Sequence, residues 1–289
     1  MRRVALVLLL NALCACAKPD ETQPTVTPND TCAHEKRGKV SLIVDAEPIE
    51  QSRITAKFAE FTLSSRAPKC TTRTIAGCIV TECVRADPAA GTACAATENI
   101  TAAGAISVTG GDKPSLTLNS DAKRSYPGFS ASGVRWAPGT EVTVNAAGGQ
   151  VPAFNAKIVF PSRVQILGPP DYVAKKDPIP LDWKNGVALQ WTAGVGTVYL
   201  HVIQGDPELR KQTDIECEAE SSRGTFTIPA ETLQQLEGTR ETKQANAILE
   251  VAGRARVELV SGEHKVLVEA LHREEPRKLL LALDGAIPK

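Results

Sequence analysis

Cysteine has the most chemistry to offer in this chain, occurring eight times among 289 residues. Six cysteines lie in the body of the sequence: Cys32, Cys70, Cys78, Cys83, Cys94 and Cys217. In an oxidising compartment an even set of thiols reads as disulfides. A zinc site would want a Cys-x-x-Cys pair or a nearby histidine. The cluster over residues 70–94 has neither, since His34, His201, His264 and His272 all lie outside it. The run Cys70-TTRTIAG-Cys78-IVTE-Cys83 predicts a hairpin turning near Ala76-Gly77, which sets Cys70 across from Cys83. Opposed residues at a non-hydrogen-bonded site are close enough to bridge. Cys78 would then take Cys94, one of three ways to pair four cysteines. Cys32 and Cys217 are left over, joined to each other or free.

Other reactive residues form no recognisable set. Gly-x-Ser-x-Gly, His-Glu-x-x-His and the Walker A pattern are absent. Asp206-Pro-Glu208 offers calcium too few oxygens. His201 and His272 fall in predicted strands and His264 in a turn, where structural roles suffice. Asp214, Glu216, Glu218 and Glu220 alternate with Ile215, Cys217 and Ala219. That alternation predicts a solvated strand face rather than the paired acids of a glycosidase. No cofactor or metal is expected. The loop from Ser120 to Thr140 sets Tyr126, Phe129 and Trp136 among Gly, Pro and Ser. Exposed rings there could stack on sugars or grip a protein. The plainer expectation is that they close one end of a sandwich.

The elements that must carry these residues read as strands. Val40, Leu42 and Val44 lie on one face, as do Ile54, Ala56 and Phe58. Phe61 and Leu63 fall out of phase, which predicts a β-bulge near Ala59-Glu60. Val142 with Val144 and Ile158 with Phe160 repeat the pattern between turns rich in Gly, Pro, Asn and Ser. A short helix is predicted after Pro229, with Leu233 and Leu236 on one side and Gly238 as its stop. The expected fold is all-β: two consecutive β-sandwiches of the immunoglobulin or fibronectin-III class, over 38–163 and 164–289. Trp191 resembles the tryptophan packed between the sheets of such domains, with Trp183 as a competitor.

The N-terminus carries a different signal. Arg2 and Arg3 precede a ten-residue apolar run, Val4 to Leu13, interrupted only by Asn11. A membrane span needs about 20 residues, so this fits a removable export signal over 1–15. An ordinary secretory signal cut after Ala15 or Ala17 is the rival. Leu13-Cys14-Ala15-Cys16 resembles the lipobox of bacterial lipoproteins. The resemblance covers only these first residues. It implies cleavage before Cys16 and a diacylglyceryl thioether on its sulfur. Each buried methylene contributes about 0.8 kcal/mol, so two acyl chains anchor stably. Ala17-Lys18 lacks the aspartate tied to inner-membrane retention, which implies the outer membrane. Residues 16–37 then read as a polar, Pro- and Thr-containing lipid-anchored stalk. The chain also has a general likeness to two-domain envelope lipoproteins of Gram-negative bacteria, which implies no activity.

Lys+Arg and Asp+Glu are both 33, so the formal net charge is zero. That balance argues against nucleic acid as a partner. The expected role is a lipid-anchored envelope protein that binds or assembles rather than catalyses, with a protein or glycan partner. The alternative is a carbohydrate-binding or carbohydrate-processing lipoprotein.

Overall fold

Alternating apolar residues commit nearly every strand to one buried face. The computed structural model describes residues 34–46, 50–62, 69–84, 97–175, 179–181, 185–206, 211–236 and 247–281. The expectations that rest on Cys16, Cys32, Cys94, Leu63, Trp183 and Glu208 lie outside these residues. The first strands are β1 (His34–Asp45), β2 (Gln51–Thr62), β3 (Lys69–Ile75), β4 (Cys78–Val84), β5 (Thr97–Thr101), β6 (Ile106–Thr109) and β7 (Leu116–Leu118). Then come β8 (Phe129–Ser132), β9 (Glu141–Ala146), β10 (Phe154–Val159), β11 (Ile166–Gly168), the turn-length helix α1 (Pro170–Val173), β12 (Ile179–Leu181) and β13 (Val187–Trp191). The chain goes on through β14 (Thr197–Asp206), β15 (Lys211–Glu220), β16 (Thr225–Ile228), helix α2 (Ala230–Leu233), β17 (Ala247–Ser261), β18 (His264–Arg273) and β19 (Arg277–Leu281).

The fold is an all-β sandwich. One wide sheet runs β3-β4-β15-β14-β17-β18-β1-β2-β5, with β8, β12 and β19 joined at its margins. Two small sheets, β10-β9-β6-β7 and β11-β13-β16, complete it. Both pack on the same side of the wide sheet, as β17 makes plain. Ala247, Leu249 and Val251 belong to one buried cluster, with Leu189, Trp191 and Ile228 of the small three-stranded sheet. Ala255, Val257 and Leu259, of the same alternating phase, pack on the other cluster, with Ile106, Val144 and Ile158 of the four-stranded sheet.

This corrects the expectation of two consecutive sandwiches. Strands from both sides of residue 163 share the wide sheet: β1 lies parallel to β18, and β4 lies antiparallel to β15. The connection between the halves crosses the sheet where glycines clear its path. A Cβ on Gly253 would sit 2.1 Å from the Ser162 carbonyl oxygen, and one on Gly194 would sit 2.5 Å from the Ser162 Cβ. The Ser162 N–H donates to the Val195 carbonyl at 3.0 Å, and its hydroxyl accepts from the Val195 N–H at 2.8 Å. The sequence pattern saw the turn-rich connection and missed the strand exchange around it.

Local expectations fared variously. Trp191 is buried and donates from Nε1 to the Ser221 carbonyl at 2.9 Å. The predicted helix forms as α2, while α1 was not expected. The predicted bulge is absent: β1 and β2 pair without a shift from His34↔Thr62 to Asp45↔Gln51. Phe61 is out of phase because it sits on the opposite face of the sheet, half-buried among the side chains there.

Candidate functional site

The wide sheet has a second face, and no other described element lies over it. Register places the residues of this open face in rows. Glu216, His201 and Glu250 are directly opposed on β15, β14 and β17. In the next row come Glu218, Tyr199, Ala252, Arg273 and Asp45. Further along, Arg256, Glu269, Ser41 and Thr55 oppose one another on β17, β18, β1 and β2. Acids alone line β15, while β17, β18 and β1 carry both signs.

These side chains are joined rather than merely solvated. The Ser41 hydroxyl donates to Glu269 Oε1 at 2.9 Å, and Lys39 Nζ reaches the same oxygen at 2.7 Å. Arg254 lies 3.3 Å from Glu218, 3.6 Å from Glu269 and 4.3 Å from the Tyr199 ring centroid. His201 sits between two carboxylates, with Nε2 3.4 Å from Asp214 and Nδ1 3.5 Å from Glu250. Burial alone would lower the His201 pKa, but hydrogen bonds to Asp214 and Glu250 outweigh it and raise it to about 9. The imidazole is thus charged at neutral pH. His201 in turn holds the Glu250 carboxyl below its ordinary range. Burial, then the nearby Glu216 charge, pushes the Tyr199 phenol well up, so it stays a donor.

Three of these groups are nearly sealed. Glu269 is 2% exposed, Ser41 4% and Arg254 8%. Taking an ion out of water costs several kcal/mol and is repaid only by close pairing. A face that only had to be wetted would leave such groups in solvent. Around Ala252, whose side chain is short, the longer neighbours leave a depression of about 470 Å³.

The cysteines are partly as expected. Cys70 and Cys83 are bridged across the β3–β4 hairpin, which turns at Ala76-Gly77 with φ of +48° and +83°. Cys78 does not take Cys94, and Cys217 does not take Cys32: Cys78 is bridged to Cys217. The reason is the pairing of β4 with β15, which brings two inward-facing sulfurs together across 139 residues.

The ring cluster of the long loop is not a ligand platform. Tyr126 and Trp136 are buried in the core under the four-stranded sheet, and Phe129 packs on it half-buried. Tyr126 accepts from the Ala103 N–H at 2.8 Å and donates to the Gly104 carbonyl at 2.7 Å. Trp136 stacks on Phe160. The rings close the sandwich, as the plainer expectation had it. His264 and His272 are buried, and burial lowers both pKa values, that of His272 to about 4.

Asp214, Glu216, Glu218 and Glu220 do share the open face. What sequence reasoning missed are their partners, Tyr199, His201 and Arg254. Only the alternation of Arg254, Arg256 and Glu258 with apolar neighbours could have flagged β17 as the facing strand. No protein-family model and no curated protein matches this sequence. No described helix is long and apolar enough to cross a membrane.

Proposed function

We propose that this is a lipid-anchored cell-envelope protein, a non-enzymatic binding or assembly module that meets its partner with the open face of the wide sheet. The observation that carries the binding role is the sealed Ser41–Glu269–Arg254 cluster on a face that no other described element covers. Polar groups fixed in advance lose little freedom when a partner arrives, so they favour recognition. The anchor rests on the lipobox-like Leu13 to Cys16 run, and outer-membrane residence rests on the absence of aspartate after Cys16.

Two measurements test the reading. Intact mass should find Cys16 at the amino terminus carrying acyl groups, and Cys16→Ser should leave the protein unlipidated and soluble. Wild-type protein without lipid ends the anchoring claim. Photo-crosslinkers placed at Thr55 and Arg256, on the open face, should trap a partner in intact cells. One at Lys157, on the outer side of the four-stranded sheet, should not. Equal yields from all three positions would remove the open face from its assigned role.

A further inference from the structure

The depression over Ala252 narrows the class of ligand, on the reading that the open face is the binding surface. In register, Tyr199 stands on one side of Ala252 and Arg273 on the other. The longer side chains of Glu250 and Arg254 rise along the same strand, two residues before and after it. Its volume of about 470 Å³ falls within the roughly 300–1,000 Å³ of small-molecule sites.

Charge then decides what enters. Each cation at the rim already has an acid: Lys39 with Glu269 at 2.7 Å, Arg254 with Glu218 at 3.3 Å, Arg273 with Glu250 at 3.9 Å and His201 with Asp214 at 3.4 Å. An anionic ligand would be repelled by the acid of each pair, and a cationic one by its base. A hydroxyl would not, because it donates to a carboxylate and accepts from a guanidinium at once. Paired ions keep capacity for this: a carboxylate has about four lone-pair sites and a guanidinium five N–H donors. The Arg254 Nε–H, sealed from solvent, has no hydrogen-bond partner among the described residues.

We propose that the depression over Ala252 is a saccharide site, taking a neutral sugar ring whose hydroxyls bridge the Glu250–Arg273 pair and accept from Lys39. Arg254 already covers a face of Tyr199. Hydrogen bonding rather than ring stacking carries the affinity, so it is modest and insensitive to salt, unlike binding between exposed charges.

The test uses the full chain as the Cys16→Ser protein and titrates tetraoses of N-acetylglucosamine, of glucose and, as an anionic probe, of galacturonate. Calorimetry and amide shift changes are read together. A neutral tetraose should bind, shift amides around Ala252 and lose no affinity on adding salt. Ala252→Tyr, which fills the depression, should weaken binding at least about tenfold. Glu250→Gln, which leaves the shape alone, should weaken it about threefold or more. Arg256→Ala, on the same face but outside the depression, should bind as wild type. Preference for galacturonate, shifts centred elsewhere, or an unchanged affinity in folded Ala252→Tyr and Glu250→Gln overturns the site. Silence from all three sugars also overturns it. If open-face crosslinkers still trap a protein in that case, the binding-module reading survives; if they trap nothing, both fall.

Discussion

Removing the Cys78–Cys217 bridge should cost this protein more than removing Cys70–Cys83, although the second lies in an exposed hairpin and looks more vulnerable. The difference lies in chain entropy. A cross-link restricts the unfolded state in proportion to the logarithm of the loop it closes. Cys78–Cys217 closes 139 residues and Cys70–Cys83 closes 13. The loop relation gives about 5 kcal/mol for the first and about 3 kcal/mol for the second. Cys78 and Cys217 are fully buried, so a Cys78→Ala/Cys217→Ala pair adds a small packing loss in the same direction. Guanidinium unfolding of both alanine pairs beside the wild type reads the difference. The m-value should rise most in the Cys78/Cys217 pair, because its unfolded chain regains the most freedom. Non-reducing digestion should first recover the Cys78–Cys217 peptide and no Cys78–Cys94 peptide. If the Cys70/Cys83 pair proves the more destabilising, the loop argument is wrong here. A recovered Cys78–Cys94 peptide would instead refute the pairing itself.

Three further outcomes follow from the same packing. Gly253→Ala should destabilise by about 1–3 kcal/mol, the usual cost of overpacking, because its Cβ would sit 2.1 Å from the Ser162 carbonyl; wild-type thermal unfolding would mean that the crossing chain gives way. Glu269→Ala should cost about 3 kcal/mol, the low end for breaking a buried pair, since Arg254 keeps Glu218. The double variant Glu269→Leu/Arg254→Met should cost less than Glu269→Ala in the same denaturant assay, and a larger loss would contradict the pairing account. Stability should peak near pH 6.5, because two histidines are shifted oppositely from that value. His272, with its pKa lowered to about 4, makes stability fall as pH drops from 6.5 towards 4. His201, with its pKa raised to about 9, contributes stability that is whole below 6.5 and lost as pH rises through 9. His201→Gln should flatten the alkaline limb, and His272→Phe should shrink the acid limb, to which buried His264 also contributes, as read from chemical denaturation across pH.

Strand faces were legible because a period of two needs only local sequence. Val40, Leu42 and Val44 point inward as their alternation requires, and so do Ile215, Cys217 and Ala219. Strand neighbours were not legible. Ser41 and Glu269 hydrogen-bond across 228 residues, and nothing local in either segment records the other. The same gap explains the cysteines. Cys70–Cys83 follows from one hairpin, whereas Cys78–Cys217 depends on β4 meeting β15. The ring cluster left two readings open for a compositional reason. Gly, Pro and Ser around Tyr126, Phe129 and Trp136 suggest exposure, yet a loop crossing a sheet end can turn its rings inward and satisfy a phenol with backbone groups, as Tyr126 does.

The strand exchange has a consequence for the site itself. β17 carries both cores along one edge of its alternation: Ala247 to Val251 in one cluster, Ala255 to Leu259 on the other, and Gly253 between them under the crossing chain. The face behind it inherits that continuity. Tyr199, His201 and the acids of β15 come from one half, while Lys39, Ser41 and Thr55 come from the other. A cut at residue 163 would strip β1 from β18 and bare Val266, Val268 and Ala270, which are packed against the N-terminal core. It would also leave Glu269 without Ser41 and Lys39. The depression over Ala252 therefore belongs to neither half. Its Lys39–Glu269 pair meets only because strands distant in sequence complete one sheet, which ties recognition on the open face to the integrity of both cores beneath it.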